Sequence, residues 1–289
     1  MTAYFKSATA ARDVHERYRA LLSRWPVANT QLRVTTRVGD TFVVASGDPA
    51  APPLALLHGS LSNAAAWMFD AAVWSKHFRV YAIDMIGEAG LSAPVRPALN
   101  SDTYAAWISD VLDHLGVVQA AFVGASLGGW LALDFASRHP ARVTQLALLY
   151  PSGIGRQRAF WWKAAPLLLL GEWGRQRVRQ RVLGSMPKIL SGDARSLLDL
   201  LDSISRRFKP RRESIPVLSD TALRRLTMPV LVIVGGKDAL LDTEETQRRV
   251  IANLPHAVVR LLPQAPHYVQ GQTEPVLRFL LASSGVSND

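Results

Sequence analysis

A chain of 289 residues, 48% of them hydrophobic, can bury one large core and still carry an insertion. It contains no cysteine, which excludes disulfides, thiolate nucleophiles and cysteine-held metals, and no apolar run reaches the ~18 residues of a membrane span. The net charge of +10 is local: Gly153 to Leu226 holds 16 Lys/Arg against 6 Asp/Glu, and the remainder is balanced.

Met1 to Ala20 reads as a polar helix with charges at Arg12, Asp13, Glu16, Arg17 and Arg19. It lacks the apolar stretch and small-residue cleavage site of a signal peptide, so a soluble cytoplasmic protein is expected. Arg33–Val38 and Thr41–Ser46 read as strands about a Gly39-Asp40 hairpin turn. Leu54–Leu57 is a short all-apolar run of the kind that fills a strand buried on both faces. Val80–Ile83, Ala121–Val123, Val143–Leu149 and Val230–Val234 repeat the pattern, and Val258–Leu262 is the expected last strand. Helical segments alternate with them at Asn63–Lys76, Ser101–Leu115, Leu127–Arg138, Thr243–Asn253 and Pro275–Ala282. The alternation predicts an α/β protein whose mostly parallel, doubly wound sheet has helices on both faces.

Gly153 to Leu226 breaks the rhythm, with helix-like segments rich in Arg, Leu and Trp and no strand signal. We read residues 153–226 as an inserted helical cap on a core of residues 1–152 and 227–289. An insertion leaving after Leu149 would cover the carboxyl edge of the sheet, where open parallel sheets bind ligands.

The chemistry concentrates at that edge. Gly124-Ala125-Ser126-Leu127-Gly128-Gly129 follows an apolar strand and opens a helix, the context of a G-x-S-x-G nucleophile elbow. A hydroxyl needs a neighbouring base. Of seven histidines, His267 follows the last strand in Pro266-His267-Tyr268; His139, after the elbow helix, reads as an ordinary helix terminus. Asp238, directly after Val230–Val234, is the candidate acid, while Asp242 is expected to cap the helix from Thr243. The strand before it ends in Leu149-Tyr150-Pro151-Ser152, with no carboxylate. The oxyanion donors are expected to be the backbone N–H groups of Leu127 and Ser60, in the His58-Gly59-Ser60-Leu61 loop. Leu61, Trp67, Trp130, Leu240, Leu241 and Tyr268 lie near these residues in sequence; each suits a pocket wall or ordinary core.

His58-Gly59, Asp84…Gly87…Gly90-Leu91-Ser92, Gly124-x-Ser126-x-Gly128-Gly129, Gly236-x-Asp238 and Pro266-His267 together resemble the α/β-hydrolase superfamily over nearly the whole chain. Within it the sequence is most similar to bacterial capped carboxylesterases. The resemblance implies a serine esterase with Ser126, Asp238 and His267 as catalytic triad, an acyl-enzyme on Ser126, an apolar small to medium ester as substrate, and no metal or organic cofactor. Ser126 at the elbow disfavours the dehalogenase and epoxide hydrolase branches, which place an aspartate there. The chain departs from the commoner pattern in having two residues, not one, between Gly87 and Gly90.

Thioester, lactone or amide hydrolysis, carbon–carbon cleavage and perhydrolysis share the triad and stay open, as does a non-catalytic binding protein on the same fold. Nucleic acid as a partner rests on the cap charge alone and is set aside. The basic cap reads either as a solvated amphipathic lid, as a peripheral contact for anionic lipid membrane, or as an attractor of acidic substrates. Nothing in the sequence sets the oligomeric state.

Overall fold

Five of the apolar runs become the buried centre of one sheet. In a computed structural model that describes residues 3–160, 164, 166–167, 169–184 and 192–284, the strands are β1 (Asn29–Thr36), β2 (Gly39–Ser46), β3 (Pro53–Leu57), β4 (Arg79–Ile83), β5 (Ala120–Ala125), β6 (Val143–Leu149), β7 (Val230–Gly235) and β8 (Val258–Leu262). They form one sheet in the order β1-β2-β4-β3-β5-β6-β7-β8. From β4 to β8 neighbours run parallel; β1 and β2 are an antiparallel hairpin attached to β4.

Strand periodicity divides the side chains between two cores. Leu54 and Leu56 face one side while Ala55 and Leu57 face the other. On the first side lie α1 (Ala8–Leu22), α2 (Met68–Trp74), α6 (Gly192–Arg207) and α9 (Thr273–Ser284). On the second lie α3 (Thr103–His114), α4 (Leu127–Arg138), α7 (Asp220–Arg224) and α8 (Thr243–Asn253). Burying one leucine contributes roughly 1.5–3 kcal/mol, so strands apolar on both faces settle at the centre. β8 is largely exposed at the edge.

The hairpin turn differs from expectation. Thr36 pairs with Gly39, so Arg37-Val38 form the turn and Gly39-Asp40 already belong to β2. Gly39 holds φ 112°, and the Arg37 guanidinium and N–H both bind Asp110. The glycine therefore closes the turn from its last position, and a tertiary ion pair sets where the chain reverses.

Between β6 and β7 the described residues form helices joined by irregular chain, with α5 (Gly171–Leu183) and α6 the longest helices. Trp161, Trp162 and Leu168, expected in the cap, lie outside the described residues. The N-terminal segment, expected with the core, also grips this insertion. Phe5 bridges Phe208, Lys6 N–H donates to Arg207 O at 2.8 Å, and Ser203 Oγ donates to Asp13 at 2.9 Å. No described helix is long and apolar enough to cross a membrane.

Candidate active site

β5 ends at Ala125 and α4 begins at Leu127, so Ser126 makes the whole turn between them. Its φ of 51° and ψ of −111° lie where a side chain costs roughly 1–3 kcal/mol. Backbone bonds hold it there. Ser126 N–H donates to Leu149 O at 3.0 Å, and Ser126 O accepts from Trp130 at 3.0 Å and Ser152 at 3.2 Å. A Cβ on Gly128 would overlap the Leu57 and His58 carbonyls, which explains why the elbow tolerates only glycine there.

The three residues singled out for acyl transfer meet at the carboxyl edge of the sheet. His267 Nε2 lies 3.0 Å from Ser126 Oγ, and its Nδ1 lies 2.7 Å from Asp238 Oδ2. Asp238 Oδ1 accepts the N–H groups of Leu240 at 2.7 Å and Leu241 at 3.0 Å. An ionised carboxylate only accepts, so Nδ1 carries the imidazole proton and Nε2 turns its lone pair to the serine hydroxyl. Asp238 is 2% exposed and His267 5%, which keeps these bonds in a low-dielectric setting. Tyr150, at φ 40°, sets its ring edge-on to His267 with centroids 4.9 Å apart. It occupies the strand end that carries no carboxylate.

The His58–Leu61 loop lies beside the elbow; a Cβ on Gly59 would sit 3.7 Å from the Ser126 Cβ. Among the described residues no acceptor bonds the N–H of Ser60 or of Leu127, so both stay available to an oxyanion. The loop is tied from below by the His58 ring. Its Nδ1 donates to Gly59 O at 2.7 Å and its Nε2 accepts from Met85 N–H at 3.1 Å. These partners fit only the neutral ring, and burial pushes the His58 pKa down to about 4. Asp84, after β4, gathers Tyr18 Oη at 2.9 Å and the N–H groups of Ala64 and Leu91 at 2.7 Å each. Burial pushes its pKa up to about 6 against those bonds.

The six expected pocket residues separate. Trp130 is buried, its Nε1 donating to Pro216 O at 2.9 Å and its ring edge-on to Tyr104. Trp67 is buried against Trp74, and its indole N–H has no partner among the described residues. Leu240 packs with Phe160, Ala164, Leu167, Val178 and Val182 of the insertion. Leu241 is buried and bridges Gln157. Tyr268 is half-exposed, with its ring near Tyr150 and its N–H donating to Val182 O at 3.0 Å. Leu61 is half-buried at φ 58°. Asp242 caps α8 through Glu245 N–H at 3.0 Å, as expected. Sequence reasoning missed Tyr150, the His58 ring and the Leu240 and Leu241 N–H groups; the missing carboxylate after Leu149 was the one available pointer. Among the described residues no group of three His, Asp or Glu is arranged to hold a metal ion.

A model of the alpha/beta hydrolase family matches residues 54–279. The chain belongs to that family. Among relatives of this alpha/beta hydrolase, the uncharacterized carboxylesterase nap of Bacillus subtilis (strain 168) is 30% identical over 282 residues, 94% of each chain. Carboxylesterase YbfK of the same organism is 30% identical over 91% of this chain and 90% of its own. The crystal structure of naproxen esterase (carboxylesterase NP) from Bacillus subtilis matches with a TM-score of 0.82 at 27% identity, covering 95% of this chain and 99% of the other. The same eight-stranded sheet and flanking helices thus serve esterases in this family.

Proposed function

We infer that this alpha/beta hydrolase is a carboxylic ester hydrolase working through an acyl-enzyme on Ser126. The observation that carries the reading is the continuous line of hydrogen bonds Ser126–His267–Asp238 beside two backbone N–H groups without an acceptor among the described residues, in a chain whose relatives include carboxylesterases over nearly its whole length. His267 Nε2 takes the Ser126 proton as Oγ attacks the ester carbonyl. Asp238 holds the ring in the required tautomer and stabilises the imidazolium. The oxyanion rests on the N–H groups of Ser60 and Leu127, the second also at the positive end of α4. His267 then protonates the leaving alcohol, and water enters by the same route to release the acid. Side chains and backbone supply every step.

An apolar, small to medium ester fits the surroundings. Leu61, Leu240 and Tyr268 adjoin the loops that carry the three residues, and the apolar cluster of residues 153–226 packs on Ala239 and Leu240 beside Asp238 as a cap. The test is covalent labelling by a fluorophosphonate, comparing wild type with a folded Ser126→Ala variant. Labelling confined to wild type, with turnover of p-nitrophenyl esters, is expected. Wild type that is neither labelled nor active on small esters and thioesters would overturn the reading.

A second reading concerns the outer surface of the cap. Leu169, Leu170 and Trp173 are 88%, 58% and 53% exposed, and the Arg177 guanidinium lies 5.2 Å from the Trp173 ring centre. Apolar side chains set among arginines favour peripheral contact with anionic lipid. Arg175, Arg179 and Arg206 are less available, because they pair with Glu172 and Asp202.

A further inference from the structure

The extra residue between Gly87 and Gly90 has a structural consequence beside the oxyanion loop. Gly87 turns the chain at φ 73°, and a Cβ on Gly90 would overlap the Asp84 carboxylate. The two residues between these glycines, Glu88 and Ala89, are both buried. Both reach back to the segment after β3. Glu88 Oε2 accepts the Leu61 N–H at 2.9 Å, and the Ser60 hydroxyl lies near the same carboxylate. Ala89 O accepts Asn63 Nδ2 at 3.1 Å. Leu61 holds φ 58°, a left-handed backbone that a leucine leaves unless something pins it. Its neighbour Ser60 offers the N–H assigned to the oxyanion.

We propose that Glu88 is a positioning residue for ester hydrolysis, whose carboxylate clamps Ser60-Leu61 so that the Ser60 N–H points at the developing oxyanion. The proposal rests on the serine hydrolase reading. It does not follow from the triad. A charge-assisted bond to a backbone N–H is among the stronger hydrogen bonds a protein makes, and here it is buried. The groups facing the carboxylate are the guanidinium groups of Arg96 and Arg211 and the Tyr104 hydroxyl. Arg96 is itself fixed on Gly87 O at 2.8 Å, and Arg211 on Tyr104 Oη at 2.6 Å and on Glu213. Burial pushes the Glu88 pKa up to about 7, while the Leu61 N–H, the two arginines and the Ser60 hydroxyl pull it back. The clamp is therefore at full strength above neutrality and weakens as the carboxylate takes a proton below it.

The experiment compares wild type, Glu88→Gln and Glu88→Ala on a p-nitrophenyl ester from pH 5.5 to 8.5, with thermal melts of each. Displacing one of two oxyanion donors is expected to lower kcat of Glu88→Ala by about 10- to 100-fold at pH 8, within the cost of losing a donor outright. KM should stay within about threefold, because the ground-state carbonyl needs the hole little. Affinity for a trifluoromethyl ketone, whose adduct places an oxyanion in the hole, should fall with kcat. Glu88→Gln keeps an acceptor for Leu61 without the charge. It should recover most of the rate, and its deficit against wild type should close as pH falls below 7. Effects of pH common to the two proteins cancel from that ratio. Unchanged kcat in Glu88→Ala overturns the proposal. So does a wild-type to Glu88→Gln ratio that is flat with pH, a measurement that stands even if Glu88→Ala does not fold. If wild type is itself unlabelled by fluorophosphonate, the serine hydrolase reading has failed; labelled wild type with an indifferent Glu88 defeats this proposal alone.

Discussion

Replacing Asp238 with Asn tests the site at its most constrained atom. The two oxygens of Asp238 have different partners: Oδ1 takes two backbone N–H groups at 2.7 and 3.0 Å, and Oδ2 takes His267 Nδ1 at 2.7 Å. An asparagine must place its carbonyl oxygen at the Oδ1 position, because an NH₂ group there would face two donors. Its NH₂ then points at His267 Nδ1 and forces the ring to carry its proton on Nε2. In that tautomer the ring donates to Ser126 instead of accepting from it, and base catalysis stops. The expected loss in kcat is about 10,000-fold, or about 5.5 kcal/mol of barrier at 1.36 kcal/mol per decade. Volume and backbone contacts are unchanged, so the melting temperature should move by only a few degrees. Initial rates on p-nitrophenyl butyrate and the rate of fluorophosphonate labelling should fall together. A folded variant keeping more than a tenth of wild-type kcat would refute the tautomer argument. So would an inactive variant that is simply unfolded by circular dichroism.

Two further outcomes follow from the same coordinates. Ser126→Gly should abolish labelling yet raise unfolding free energy in urea by roughly 1–2 kcal/mol, because glycine holds φ 51° without strain. Trp173→Glu should cut co-sedimentation with phosphatidylserine-containing vesicles several-fold at low salt while leaving hydrolysis of soluble esters unchanged; wild type that fails to sediment at any salt removes the lipid reading.

Much of this protein is written locally. The buried strands read directly from runs such as Leu54–Leu57 and Val230–Val234, because a strand covered on both faces has no polar position to hide. The elbow reads from Gly124 to Gly128, since its steric conflict arises within one turn of chain. Asp238 and His267 were found because each follows a strand, and a parallel sheet sends all such loops to one edge. The order of the elements and the edge at which Ser126, Asp238 and His267 meet were determined by the sequence by itself.

Only the tertiary structure decided what surrounds them. Trp130 and Trp67 are equally near the site in sequence terms, and the fold buries both, Trp130 bonded to Pro216 O and Trp67 against Trp74. The hairpin turn moved to Arg37-Val38, where Asp110 from another helix is the partner. The Asp238 oxygens are made unequal by two N–H groups that no side-chain pattern announces. Tyr150 meets His267, and Glu88 meets Leu61 from 27 residues away, with no periodicity linking either pair. Patterns in sequence record forces between neighbours along the chain. The shape of the His58–Leu61 loop and the orientation of the His267 ring come from groups that become neighbours only when the sheet closes over them.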